Sequence, residues 1–408
     1  MVRVGLVLSG GGARGAYEVG VLSWVLDELP QLLRRPVTFD VVTGTSVGAI
    51  HACYVAATQG TVRSGAALVD VWQQLEVTGV YEFGLSDVVG LPFRLLGLAA
   101  TRDQGPDHIG GLLDTAPLER LVHDAIPWDG LRRNIDDGRP ASLAVTATEV
   151  ATGKSVVWVD GVLSRVWTHD PFVVAKAVRI GPERALASAA IPFLFPALRI
   201  DGGFYCDGGL RMNTPLSPAL RLGVDRLLIV GLRHRPTPDE DEADRAEQRV
   251  QAFPSLAYLG GKVLNALLLD HVDYDVDRLS VLNTILEAGA STCGPEFLGR
   301  VRSALRPIGD DPYKIVRYVY LQPSADLGGL AAECIGHDRT TNGLRGWLAD
   351  AVVRRTLRGI GQEADLLSYL LFDKCYAAHL IELGRRDAAA RATEIVALFD
   401  GTGPPIPA

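Results

Sequence analysis

The chain has 408 residues, of which 48% are hydrophobic and 22% charged, with a formal net charge of −8. That length and apolar content suffice for one large domain with an appendage, or for two domains. The acid excess argues against a nucleic-acid surface, which needs a basic face, and no run reaches the roughly 20 apolar residues of a membrane-spanning helix.

Residues 2–8 read as a buried strand. Arg3 followed by an apolar run resembles the start of a signal peptide, but the run is too short and leads directly into glycines. Residues 16–29 are expected as a helix, 39–43 as a second strand and 46–58 as a second helix. Apolar run, turn and amphipathic run in alternation indicate parallel βαβ units. The fold class expected is therefore α/β, with a central, mainly parallel sheet between helices.

Further strands are expected at residues 142–150, 155–159, 197–200, 226–231 and 314–321. Helices are expected at 173–190, 344–358, 362–383 and 385–399. The run Asp239-Glu240-Asp241-Glu242 reads as a solvated loop. A catalytic domain over residues 1–325 and a helical C-terminal segment over 326–408 are the expected divisions. Cys53, Cys206, Cys293, Cys334 and Cys375 are scattered without C-x-x-C spacing. They are expected as reduced thiols of a cytoplasmic protein, with no metal site.

Two glycine-framed turns carry the chemistry. Gly44-Thr45-Ser46-Val47-Gly48 follows a strand and opens a helix, which is the nucleophile-elbow pattern. Ser46 protrudes from such a turn only if Gly44 and Gly48 relieve crowding, and the helix N-terminus favours developing negative charge there. A plain N-cap role for Ser46 is the alternative.

Gly10-Gly11-Gly12-Ala13-Arg14-Gly15 fits two chemistries. As G-x-G-x-x-G it matches a dinucleotide-binding loop of an oxidoreductase, which also requires an acidic residue about 20 positions on. Here the second strand ends in Gly44-Thr45-Ser46, without that residue. As an oxyanion hole, the glycines present backbone N–H groups free of side chains. Arg14 either braces this loop, favours an anionic head group or caps a surface.

The segment from Arg199 to Gly209 contains Asp-Gly-Gly twice. Asp201 is expected in a hairpin turn. Asp207, with Gly208 and Gly209, follows the returning strand and precedes Asn213-Thr214-Pro215 and a helix at 216–222. At this point the chain resembles the patatin-like phospholipases, serine lipid acyl hydrolases with a Ser–Asp dyad. The glycine loop, G-x-S-x-G and Asp-Gly-Gly occur in that family's order, and Ser188-Ala189-Ala190-Ile191-Pro192 with Phe195-Pro196 matches the block just upstream. The likeness is specific over residues 1–232 and looser to about 325. It implies Ser46 as nucleophile, Asp207 as base, and Gly10, Gly11 and Gly12 as oxyanion donors, with no cofactor. Ser9 departs from plant members, which commonly carry an acidic residue there.

A carboxylate replaces histidine as base only if partly desolvated, held within hydrogen-bond reach of the serine and helped by oxyanion donors. A Ser–acid–His triad completed by His234, His271, His337 or His379 is the rival; none lies in a recognisable motif. His51 is tied to the helix that Ser46 opens. A lipid or phospholipid substrate implies peripheral contact with a membrane, for which residues 88–98 and 256–269 are the candidates. A catalytically silent lipid-binding or scaffold protein is the alternative to an enzyme, and nothing in the sequence sets an oligomeric state.

Overall fold

The computed structural model describes residues 2–81, 106–163, 167, 170–235, 272–294, 296–305, 314–337 and 368–401. Ten strands form one sheet: β1 (Val4–Leu8), β2 (Val41–Thr45), β3 (His108–Ile109), β4 (Ser142–Glu149), β5 (Ser155–Gly161), β6 (Val173–Ala177), β7 (Ala197–Ile200), β8 (Gly203–Asp207), β9 (Arg226–Val230) and β10 (Arg317–Leu321). Their order is β10-β9-β1-β2-β4-β8-β7-β3, with β5 on β4 and β6 on β5. From β10 to β4 every pairing is parallel, while β4, β8, β7 and β3 join antiparallel.

The parallel strands are apolar on both faces, as strands covered by helices on both sides must be. Leu6 and Leu8 of β1, with Leu228 and Val230 of β9, enter one core. Val7, Leu227 and Ile229 point to the other. The first core takes the helices Gly15–Ser23, Val47–Thr58 and Lys374–Ala390. The second takes Leu216–Arg221 and Val272–Cys293. The layered α/β arrangement expected from the alternating runs is the one observed.

Register on β4 determines what meets what. Thr45 of β2 pairs with Thr146, and Asp207 of β8 pairs with Ala147, the next residue along β4. The ends of β2 and β8 therefore arrive side by side on one strand. The β7–β8 hairpin turns on Asp201 and Gly202, both with positive φ, as expected.

Three expectations are corrected. Residues 173–190 are not one helix: Val173–Ala177 is strand β6, parallel to β5, and a helix begins only at Pro182. The β-branched Val173 and Val174 suit the strand position that β5 offers, and Pro182 is pre-set for the first turn of a new helix. Residues 362–383 and 385–399 do not divide near 384. One helix runs Lys374–Ala390 and a second Ala392–Asp400. Gly384 does not end the helix but lets it touch the Tyr17 backbone, where a Cβ would overlap the carbonyl oxygen.

Nor are all five cysteines free. Cys334 and Cys375 form a disulfide, because the helices Leu327–His337 and Lys374–Ala390 pack together across a sequence separation of 41. Cys53, Cys206 and Cys293 are free, and burial pushes the Cys206 thiol up to about 12. The expected helix at 344–358, the segments 88–98 and 256–269, the acidic run at 239–242 and His271 lie outside the described residues. Among the described residues no helix is long and apolar enough to cross a membrane.

Candidate active site

Ser46 sits between β2 and the helix Val47–Thr58 with φ 56 and ψ −129, a conformation that costs a non-glycine residue on the order of 1–3 kcal/mol. The surroundings hold it there. Its N–H donates to Ser188 Oγ at 2.9 Å, and Ser188 Oγ donates to Thr146 O at 2.6 Å. A Cβ on Gly44 would overlap the Gly48 carbonyl, and one on Gly48 would lie 2.6 Å from the carbonyl oxygens of Leu8 and Ser9. The turn is this tight only because both frame positions are glycine.

Ser46 Oγ donates to Asp207 Oδ2 at 2.6 Å, and Gly209 N–H donates to Asp207 Oδ1 at 2.7 Å. The Asp207 main chain is pinned as well. Its N–H donates to Ala190 O, and its carbonyl accepts from Thr148 Oγ1. Gly208 permits this approach, since a Cβ there would overlap Thr146 O. Ser46 is 4% exposed and Asp207 1%. Burial pushes the Asp207 carboxyl from 3.8 up to about 6, against the lowering effect of the bonds from Ser46 and Gly209. That places the carboxyl in the near-neutral range that suits a general base.

The glycine loop runs alongside. A Cβ on Gly10 would lie 2.9 Å from Ser46 Cβ. Gly10 N–H donates to Asn213 O, and Asn213 Nδ2 donates back to Gly10 O. Gly10 is thus committed to holding the loop on the Asp207 side of the site. Among the described residues Gly11 and Gly12 N–H have no such partner; Gly12 has φ 56, suited to glycine. Gly15 meets the Val47 side chain, so the loop and the helix Val47–Thr58 are in contact.

Arg14 braces this loop rather than capping a surface. It is buried, its Nε donates to Ser368 Oγ at 2.7 Å, and its guanidinium lies 4.2 Å from the centre of the Tyr369 ring. Both partners come from the C-terminal segment, which local sequence cannot reveal. Ser9 Oγ bonds Thr214 and the Val230 carbonyl, so its departure from an acidic residue leaves a satisfied polar contact.

A second buried pair lies beneath the loop. Glu18 accepts from Ser9 N–H at 2.8 Å and meets His51 Nδ1 at 2.8 Å, with both side chains almost fully enclosed. Burial raises the Glu18 carboxyl. A lone acid within Gly15-Ala16-Tyr17-Glu18-Val19-Gly20-Val21 was the available signal, since a charge on an otherwise apolar helix needs a buried partner. His234 bonds Pro323 O, and His379 lies beside Cys334 and Cys375. None of His51, His234 and His379 hydrogen-bonds Ser46.

Beside Ser46 a cavity of about 70 Å³ is walled by Ile50, Tyr54, Trp72, Ile191, Phe195 and Phe372. An apolar cavity that admits benzene measures about 150 Å³, so an acyl chain requires this one to widen. A larger cavity of about 730 Å³ near Asp27, Arg63 and Arg385 contains none of these groups.

The patatin-like phospholipase model matches residues 6–220, more than half of the chain and all the residues above from Leu6 to Asn213. The chain belongs to the patatin-like phospholipase family. A stretch of 212 residues is 32% identical to the cGAMP-activated phospholipase of Pseudomonas aeruginosa (strain BWHPSA011 / Pa011), covering 52% of this chain and 53% of that protein. Another of 214 residues is 27% identical to the uncharacterised protein YqhO of Bacillus subtilis (strain 168), covering 52% and 64%. The chain thus spans only part of the length of either relative. Among solved structures, human GIVD cytosolic phospholipase A2 in complex with methyl gamma-linolenyl fluorophosphonate has 13% identity and a TM-score of 0.40, over 98% of this chain and 59% of that one. VipD from Legionella pneumophila has 14% identity and a TM-score of 0.30, over 98% and 77%. Membership of the patatin-like phospholipase family accounts for the order of the glycine loop, Ser46 turn and Asp207 turn. It does not extend to Ser368, Tyr369 or Phe372, which lie beyond the matched residues.

Proposed function

We propose that the chain is a lipid acyl hydrolase that works through a Ser46–Asp207 dyad and an acyl-enzyme. The observation that carries this reading is the 2.6 Å hydrogen bond from Ser46 Oγ to a buried carboxylate, on a strained turn beside loop N–H groups that have no partner among the described residues. Ser46 Oγ attacks the ester carbonyl carbon while Asp207 Oδ2 takes the hydroxyl proton. Gly11 and Gly12 N–H, with the N-terminus of Val47–Thr58, stabilise the oxyanion. The tetrahedral intermediate collapses, the C–O bond to the alcohol breaks, and Asp207 returns the proton to the leaving oxygen. Water then attacks the acyl-enzyme with Asp207 again as base, and Ser46 is regenerated with release of the fatty acid.

The apolar walls around Ser46 favour an acyl chain, and the family's name favours a phospholipid as its source. Access from water to a bilayer implies transient association with the membrane surface. The expected cytoplasmic placement rested on five unpaired thiols and loses that support in the Cys334–Cys375 disulfide. Release of fatty acid from a panel of phospholipids, lysophospholipids, galactolipids and neutral lipids tests the reading. Turnover of at least one class by the parent, absent in Ser46→Ala, is expected. Silence across the panel and on soluble esters would favour a lipid-binding scaffold instead.

A further inference from the structure

Phe193 is 77% exposed and has φ 68. Arg34, Ser46, Arg63 and Asp201 are the other described non-glycine residues with positive φ, and none carries an apolar side chain. A scattered exposed hydrophobe is unremarkable, but a bulky aromatic held in the left-handed region is a true outlier. Such strain persists only where surrounding structure enforces it, and it concentrates at functional places.

The enforcement is visible. Phe195 N–H closes a turn onto Ile191 O at 2.8 Å, and Leu194 O accepts from both Leu112 and Leu113 N–H. Close packing of Gly111 on the Pro196 backbone fixes the far side. The turn therefore drives Phe193 outward between two residues, Ile191 and Phe195, that wall the cavity beside Ser46. Ile109 is 53% exposed and pairs with Ala197 on the same sheet edge. Phe193 thus stands exposed on the turn whose Ile191 and Phe195, two residues to either side, wall the cavity beside Ser46.

We propose that Phe193, supported by Ile109, is an insertion point that docks the protein on a lipid bilayer. It carries the entrance of the acyl cavity to the level of the acyl chains. This proposal rests on the lipid acyl hydrolase reading above. The net charge of −8 opposes attraction to anionic lipid, so burial of apolar area is the attractive interaction. One aromatic and one aliphatic side chain give a weak, reversible contact, as an enzyme that must leave the surface requires.

The test uses the full chain and vesicles of ether-linked phosphatidylcholine, which resist ester hydrolysis. Co-sedimentation of the parent is expected, with little change between low and high salt. Phe193→Ser and Phe193→Gly are expected to lower the partition coefficient about tenfold, and Phe193→Trp to retain it. Hydrolysis of a soluble short-chain ester should be unchanged in all three. Phe193→Gly should also melt at or above the parent, since glycine accepts this φ without strain. Equal vesicle binding by parent and Phe193→Ser, or no binding by the parent, would overturn the proposal. So would a parent dimer that Phe193→Ser dissociates without altering vesicle binding. Vesicle binding that depends on Phe193 in a parent inert toward both the soluble ester and the lipid panel would support the docking surface while removing the enzymatic reading.

Discussion

Glu18 and His51 meet at 2.8 Å in a space closed to solvent, and Glu18 also receives the Ser9 N–H that precedes the glycine loop. The pair fastens the loop to the helix that Ser46 opens, so the glycine loop and Ser46 are positioned together. His51→Ala leaves the Glu18 carboxyl buried with one partner fewer. A loss of about 3–5 kcal/mol at pH 8 is expected, measured by chemical denaturation. The loss should shrink in acid, where protonation removes the uncompensated charge.

In the proposed mechanism the Asp207 carboxylate is the base, so kcat/KM on a soluble ester should rise about tenfold per pH unit below about 6 and level off above it. A profile flat from pH 5 to 8 would contradict a base at this residue.

The same group trades stability for reactivity. Its folded value of about 6 lies above 3.8, so the folded state binds the proton more tightly than the unfolded chain does. The associated stability is present in full below about 4 and is lost as pH rises to about 6. The difference, 6 − 3.8 = 2.2 pH units at about 1.36 kcal/mol each, is on the order of 3 kcal/mol. Asp207→Asn is therefore expected to be inactive yet to melt above the parent at pH 8, with the gap closing near pH 4.

Gly44 and Gly48 separate packing from propensity. Gly44→Ala or Gly48→Ala sets a methyl group against backbone oxygens that cannot move aside. Each is expected to cost about 3 kcal/mol or more and to abolish activity. Gly79→Ala is the control, because nothing lies within 4 Å of a Cβ there and its φ is unremarkable. Thermal melts should show Gly79→Ala unchanged or slightly stabilised.

How far the sequence could be read follows the range of the forces involved. Most of the strands, though not β3 or β6, the Asp201–Gly202 hairpin and the glycine frame of Ser46 are local patterns, and they are readable. Ser46 and Asp207 were recognisable as partners from their motifs. Why they meet was not, because it lies in the pairing of Thr45 and Asp207 with successive residues of β4. Residues 173–177 looked helical because the strand that pairs with them, β5, lies beyond any local window. Arg14's partners, Ser368 and Tyr369, are more than 350 residues away in sequence, and Cys334 finds Cys375 only through helix packing.

The disulfide encloses the segment that supplies Ser368, Tyr369 and Phe372 to the site. Closing a loop of 41 residues restricts the unfolded chain by about 4 kcal/mol in the loop-entropy account. Reduction, or Cys375→Ser, should lower the denaturation midpoint accordingly. An unchanged midpoint would place that stabilisation elsewhere.

Activation of the Ser46 hydroxyl by Asp207 is tested most directly by the rate and site of phosphonylation by a fluorophosphonate, followed by intact mass and peptide mapping. One adduct on the peptide containing Ser46 is expected, forming at least about 100-fold more slowly in Asp207→Asn and absent in Ser46→Ala. An adduct elsewhere, or one forming on Ser46 at an equal rate without the Asp207 carboxylate, would contradict it.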